Sequence, residues 1–338
     1  MKSISYSLIA AAAAVGMAYG QNTATTKPVG YETATLASGF NFIGLRLHDS
    51  AVLNGTFESS TTDTLVDNEG TFQTALTAGK LYLVEINAGA KQGVIVEVMG
   101  GGASQTTLSG LANITADYRT SYSIRPAKTL SSVFGSGATC VLKKGTSATA
   151  DSVYVPNSSG GFDTYFHSAD TTPFPGAPTT PGKWQKIGTT ADQGATPVNY
   201  LDGFYVEIRG SQVSLTVSGE VKTTPTSLPA IQGFSYYSSV YPAGSTLESS
   251  GLASVVTKGT AATADLVFMP VAGGGFGTFY HSADTVPFPG APTVPGKWEK
   301  VGGSGNQGAV EITSGMIFQR RGASADLKYT PPASYTGL

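Results

Sequence analysis

The sequence predicts an all-β protein, and three observations carry the prediction. Runs such as Val213-Ser-Leu-Thr-Val-Ser218 alternate apolar and polar residues with period two, the pattern of a half-buried strand. No segment sustains a 3.6-residue apolar period over three turns, so helices are expected to be short and rare. Among 338 residues there are 43 Gly, 42 Thr and 35 Ser while only 12% are charged, a composition suited to many turns between strands. The 40% of hydrophobic residues is enough to build cores, which argues against a disordered chain.

Taken in chain order, residues 1–20 have the parts of a secretory signal peptide. Lys2 is followed by an apolar stretch from Ile4 to Met17, and small residues Ala18 and Gly20 precede Gln21. A stretch of fourteen residues falls short of the roughly 20 that a membrane-spanning helix needs, so cleavage and export are expected, with no membrane span in the mature chain. A cell-surface or extracellular location follows, with the periplasm as an alternative. The net charge is −2, and the basic residues cluster no further than Lys143-Lys144 and Arg320-Arg321. That removes the electrostatic basis for binding nucleic acid or an anionic membrane. Cys140 is the single cysteine, so stability is expected to come from packing without an intramolecular disulfide.

Residues 27–127 read as an N-terminal β module. Its candidate strands are Phe40-Asn-Phe-Ile-Gly-Leu-Arg-Leu47, Lys80-Leu-Tyr-Leu-Val-Glu-Ile86 and Gln92-Gly-Val-Ile-Val-Glu-Val-Met99, separated by glycine-rich stretches such as Gly100-Gly-Gly102. A duplication follows. Residues 144–188 align without a gap to 258–302, and 31 of these 45 positions are identical. This divides the rest into repeat domain 128–222, a Pro/Thr linker over 223–230 (Thr223-Thr-Pro-Thr-Ser-Leu-Pro229), repeat domain 231–330 and a tail over 331–338. The expected architecture is an N-terminal β module and two tandem β-sandwich-like domains.

The segments Thr26-Lys-Pro-Val-Gly-Tyr31, Gly39-Phe-Asn-Phe-Ile-Gly-Leu-Arg-Leu47 and Val52-Leu-Asn-Gly-Thr56 open the mature chain. Further on come Ala150-Asp151-Ser-Val153 with Trp184-Gln-Lys-Ile-Gly188, and Ala264-Asp265-Leu-Val267 with Trp298-Glu-Lys-Val-Gly302. In these motifs the chain resembles a family of exported β-rich repeat proteins found mainly in verrucomicrobial bacteria. The resemblance implies export and a β architecture and carries over no catalytic residue. The chain departs from the family's pattern by a long proline-rich insertion in each repeat.

That insertion, Asp170-Thr-Thr-Pro-Phe-Pro-Gly-Ala-Pro-Thr-Thr-Pro-Gly182, recurs as Asp284 to Gly296 with two substitutions. Its prolines restrict the backbone and remove ladder donors, so each copy should project as a stiff loop. Pro173, Phe174, Pro175 and Pro287, Phe288, Pro289 are the candidate interaction residues, with the rival that each Phe folds back onto its own domain. At the foot of the loops, His167 with Asp170 and His281 with Asp284 are a conceivable Zn²⁺ ligand set, although a carboxylate accepting local backbone donors in a turn is the simpler reading. Trp184 and Trp298 are candidate glycan-stacking platforms, in competition with core packing. Asp151 and Asp265 are the pair to consider as paired carboxylates for glycoside hydrolysis, although Thr-Ala-Asp just before a strand is more typical of turn chemistry. Gly303-Ser-Gly-Asn-Gln-Gly308 fits a dinucleotide pattern but lies between strand-like segments where no helix is expected to start.

No cofactor is implied. The leading expectation is an exported, non-enzymatic structural or interaction protein with protein or self-assembly contacts. A carbohydrate-binding protein and, more weakly, a secreted hydrolase are its rivals.

Overall fold

The computed structural model describes residues 27–61, 63–111, 120–271 and 274–335. The proposed signal peptide and the last residues of the tail lie outside them. The described chain is all-β: about two dozen short strands pair antiparallel, and its α-helices are the single turns Phe72–Ala75 and Leu130–Phe134. No helix among the described residues is long and apolar enough to cross a membrane.

The two repeats share one plan. In the first, a five-stranded sheet runs Trp184–Lys186, Phe162–His167, Ser152–Pro156, Gly203–Ile208, Gly39–Gly44. In the second, the corresponding order is Trp298–Lys300, Phe276–His281, Leu266–Pro270, Gly315–Arg320, Gly233–Ser238. Alternation fixes which face is buried. Val153, Tyr165, Trp184, Phe204 and Val206 point inward, as do Val267, Phe279, Trp298, Met316 and Phe318. A smaller sheet covers each inner face, Val29–Leu36 with Val213–Val221 and Leu47–His48 in the first repeat and Thr226–Ala230 with Ala325–Tyr329 in the second.

These pairings correct two boundaries drawn from the sequence. Residues 223–230 are no linker, because Thr226–Ala230 is the first strand of the second repeat. Pro229 fits there as an exposed edge residue. Nor do residues 27–127 form one module. Val29–Leu36 and Gly39–Gly44 pair with Val213–Val221 and Gly203–Ile208, so the N-terminal hairpin closes the first repeat. The separate module is an insertion between Asp49 and Pro126. It has its own four-stranded sheet, Leu53–Thr56, Ser121–Pro126, Leu81–Ile86, Ile95–Met99, and its own core around Phe57, Leu65, Phe72 and Tyr122. Phe57 and Tyr122 stack there with ring centroids 4.2 Å apart. The second repeat bypasses the insertion point through the short segment 239–244, which turns at Val240 with φ 59°, a left-handed conformation that a β-branched residue rarely adopts.

The outer faces of the two large sheets meet about an approximate two-fold relation. Phe162 of the first repeat packs edge-on against Tyr236 of the second at 4.8 Å, and the aligned pair Phe276 and Phe42 does the same at 5.8 Å. Backbone approach there is close: a Cβ on Gly44 would lie 2.5 Å from Ser238 Cα, so the position requires glycine. Ser238 Oγ donates to Leu45 O at 2.6 Å and Ser314 Oγ to Phe42 O at 3.2 Å. One continuous core therefore runs through both repeats.

Candidate functional site

Each proline-rich insertion forms a projecting hairpin arm. Its stem is closed by reciprocal backbone bonds between Thr171 and Thr180, at 2.9 and 2.8 Å, and identically between Thr285 and Val294. At the tip, Ala177 N–H donates to Phe174 O at 3.0 Å, and Ala291 N–H donates to Phe288 O at the same distance. The four residues Phe-Pro-Gly-Ala make a type II turn: proline pre-sets φ at its second position, and glycine supplies the positive φ needed at the third, 86° for both Gly176 and Gly290. The expected stiff extended loop is thus a turned hairpin, and it projects. Phe174 and Phe288 are each 66% exposed, so neither folds back onto its own domain.

The foot of each arm is built to hold its angle. Asp170 Oδ1 accepts from Gly182 N–H at 2.8 Å and pairs with Lys144 Nζ at 3.1 Å. In the second copy, Asp284 accepts from Gly296 N–H at 2.8 Å and pairs with Lys258 at 3.3 Å. The glycine N–H and then the lysine hold both carboxyls below their usual range. A Cβ on Gly182 or Gly296 would lie 1.9 Å from the carbonyl oxygen of Ser168 or Ser282, so the returning strand can cross there only as glycine.

The structure brings the histidines to the arm feet but gives them structural partners. His167 is buried, its Nδ1 faces Ser168 O at 2.9 Å, and its Nε2 accepts from Gly137 N–H at 3.0 Å. That fixes the neutral tautomer with the proton on Nδ1, and burial lowers the pKa further. His281 makes the matching 2.9 Å contact with Ser282 O. With both nitrogens of His167 engaged and each Asp bound to its own arm, the four residues do not assemble a metal site. Among the described residues no group of three or more His, Cys, Asp or Glu is placed to hold an ion.

Trp184 and Trp298 are wholly buried, which overturns their reading as sugar platforms. Their rings instead pack edge-on against His167 and His281 and so tie the arm feet into the core. Asp151 and Asp265 are also buried, and each spends both carboxylate oxygens on backbone donors. Asp151 accepts from Lys143 and Arg209 N–H, and Asp265 from Thr257 and Arg321 N–H, each at 2.7 Å. Their role is to clamp strand ends. Cys140 is a half-buried free thiol whose pKa burial raises, a poor nucleophile. After the Gly303–Gly308 loop no helix begins, so it lacks the aligned N–H groups of a phosphate site.

One cluster was not foreseen from sequence. Where the inserted module meets the first repeat, Glu85 is held by Arg125 at 3.2 Å, by Lys222 and by Thr224, and Glu220 lies 3.6 Å from Arg125. His48 contacts Arg125 and is pushed down to about 2, first by burial and then by that positive charge. These residues come from strands distant in sequence, and only the pairing of charges across an unrecognised insertion boundary could have announced them.

No family model, curated protein or solved structure matches the chain.

Proposed function

We propose that this is an exported, non-enzymatic structural or interaction protein acting at or outside the cell surface, and that its two hairpin arms make the contacts. The observation that carries this reading is the identical presentation of Phe174 and Phe288 on two proline-stiffened turns. A large apolar side chain held out in water on a rigid support loses little entropy when a partner covers it. Two such contacts on one body act at high effective concentration, which suits a scaffold or an assembling protein. Export rests on the features of residues 1–20. The clamped aspartates and the high thiol pKa favour this reading over a hydrolase.

The test is a double variant, Phe174→Ser with Phe288→Ser, in the full chain. Because both rings are exposed, the far-ultraviolet circular dichroism and melting temperature should stay as in the parent. The parent should migrate in a larger complex in the surface fraction of the producing cells, and the variant should migrate free. Identical migration of the two would overturn the proposal.

A further inference from the structure

The aromatic seam between the repeats opens on one side into a cleft of about 780 Å³. Its wall is a run of rings. Tyr205 stands 5.0 Å from Phe42, 6.4 Å from Phe40 and 6.5 Å from Phe276, the latter contributed by the second repeat. Phe40 is 67% exposed and Phe276 38%, so the ring faces are open to a visitor. The phenol of Tyr205 makes no hydrogen bond among the described residues and is free to donate. The cleft's charged members, Glu32 and Arg46, neutralise each other through an Arg46 Nε to Glu32 Oε2 bond of 2.9 Å.

This chemistry suits one kind of occupant. Aromatic-lined grooves take apolar, proline-rich tips, because the rings pack on flat pyrrolidine and phenyl faces, and the turned backbone of each arm already holds its tip in order. The arm tips have that character. Residues Thr171 to Pro181 contain four prolines and one phenylalanine and no charged side chain, so burying them strands no ion. Within one chain the tips stay exposed and the cleft stays open, so a tip that fills a cleft must come from another molecule.

We propose that the cleft receives a Pro-Phe-Pro tip from a second copy of this chain, which joins copies head to tail. The inference rests on the reading of the arms as contact points. A heterologous contact of this kind generates a ring where its rotation closes and an open chain where it does not. The size of the contact sets its strength. A buried phenylalanine contributes about 150–250 Å², and with its flanking prolines one tip stays below the roughly 1,200 Å² of a stable interface. Single contacts are therefore weak and assembly depends on concentration, and with one cleft per copy the second arm is left to reach a further copy.

Sedimentation velocity of the full chain from about 1 to 100 µM reads this directly. The parent should show a rising sedimentation coefficient. Both the arm variant (Phe174→Ser, Phe288→Ser) and the cleft variant Phe40→Glu should associate at least about tenfold more weakly. Mixing the two variants should restore complexes, since one keeps its cleft and the other its arms, and this recovery excludes misfolding as the cause. A parent that stays monomeric at the highest concentration overturns the inference. If the arm variant loses association while Phe40→Glu keeps it, the arms bind elsewhere: the cleft assignment falls and the reading of the arms stands. If both variants associate like the parent, the two fall together.

Discussion

Trp184 and Trp298 occupy aligned positions, have the same zero exposure and face equivalent histidines, yet they differ in one bond. Trp184 Nε1 donates to Gly135 O at 2.8 Å, whereas the buried Trp298 Nε1 has no acceptor among the described residues. The cause is local. The helical turn Leu130–Phe134 ends at Gly135 and presents its carbonyl, while the second repeat is three residues shorter between the aligned Leu247 and Lys258 and forms no α-helical turn there. Replacing either tryptophan by phenylalanine removes a similar volume, so the cavity cost is common to both and cancels in the comparison. Trp184→Phe additionally loses a hydrogen bond of about 0.5–1.5 kcal/mol, and Trp298→Phe removes an unsatisfied donor whose burial costs about 1–3 kcal/mol. Trp184→Phe should therefore be the more destabilising by about 2–4 kcal/mol. Urea unfolding followed by circular dichroism measures the difference, and since these are the only two tryptophans, fluorescence in each variant reports the remaining site alone. Equal losses, or a larger loss for Trp298→Phe, would refute the hydrogen-bond argument.

Other expectations follow from the same geometry. Gly182→Ala and Gly296→Ala each force a Cβ to within 1.9 Å of a carbonyl oxygen and should cost about 2 kcal/mol or more, measured by thermal unfolding. Asp170→Asn with Asp284→Asn should leave the melting temperature close to the parent's, since the ion pairs are exposed, but should speed amide exchange in residues 171–181 and 285–295. Asp202, at the seam between the repeats, has its carboxyl raised to about 7 by burial and then by Glu97. The folded state thus holds a proton that the unfolded state releases near 4, so stability is fullest below that value and is lost as pH rises toward 7; Asp202→Asn should flatten a slope worth about 2–4 kcal/mol. Arg125→Met leaves Glu85 and Glu220 short of a partner and should cost about 3–5 kcal/mol, with early proteolytic cleavage where the inserted module joins the first repeat.

The fold class was legible because period-two patterning is local, and the duplication because 31 identities in 45 positions need no structure to see. The hidden feature was the nesting. Strand pairing between residues 29–44 and 203–221 is a long-range fact, and the inserted module separates the first hairpin from the rest of its repeat. A faint signal existed on both sides of the insertion. Gly39-Phe-Asn-Phe42 resembles Gly233-Phe-Ser-Tyr236, and Thr129-Leu130 resembles Thr246-Leu247, which together place the insertion point. Proline in Thr223-Thr-Pro-Thr-Ser-Leu-Pro229 pointed to a linker, yet an edge strand tolerates it equally well, and the pairing with Ala325–Tyr329 decided the matter. At the arms, sequence gave stiffness from the prolines and the turn chemistry of Pro-Gly. It could not give the exposure of Phe174 or the burial of Trp184, ten residues apart, because burial depends on which sheet face each strand turns inward.

The central claim is that Phe174 and Phe288 are where a partner is met. The most direct measurement places a photo-cross-linking amino acid at each of these positions, and at the exposed control Thr189, in the full chain in its producing cell. The account predicts a defined cross-linked protein product from 174 and 288, with none from 189. Cross-linking at the arm tips no higher than at the control would contradict it.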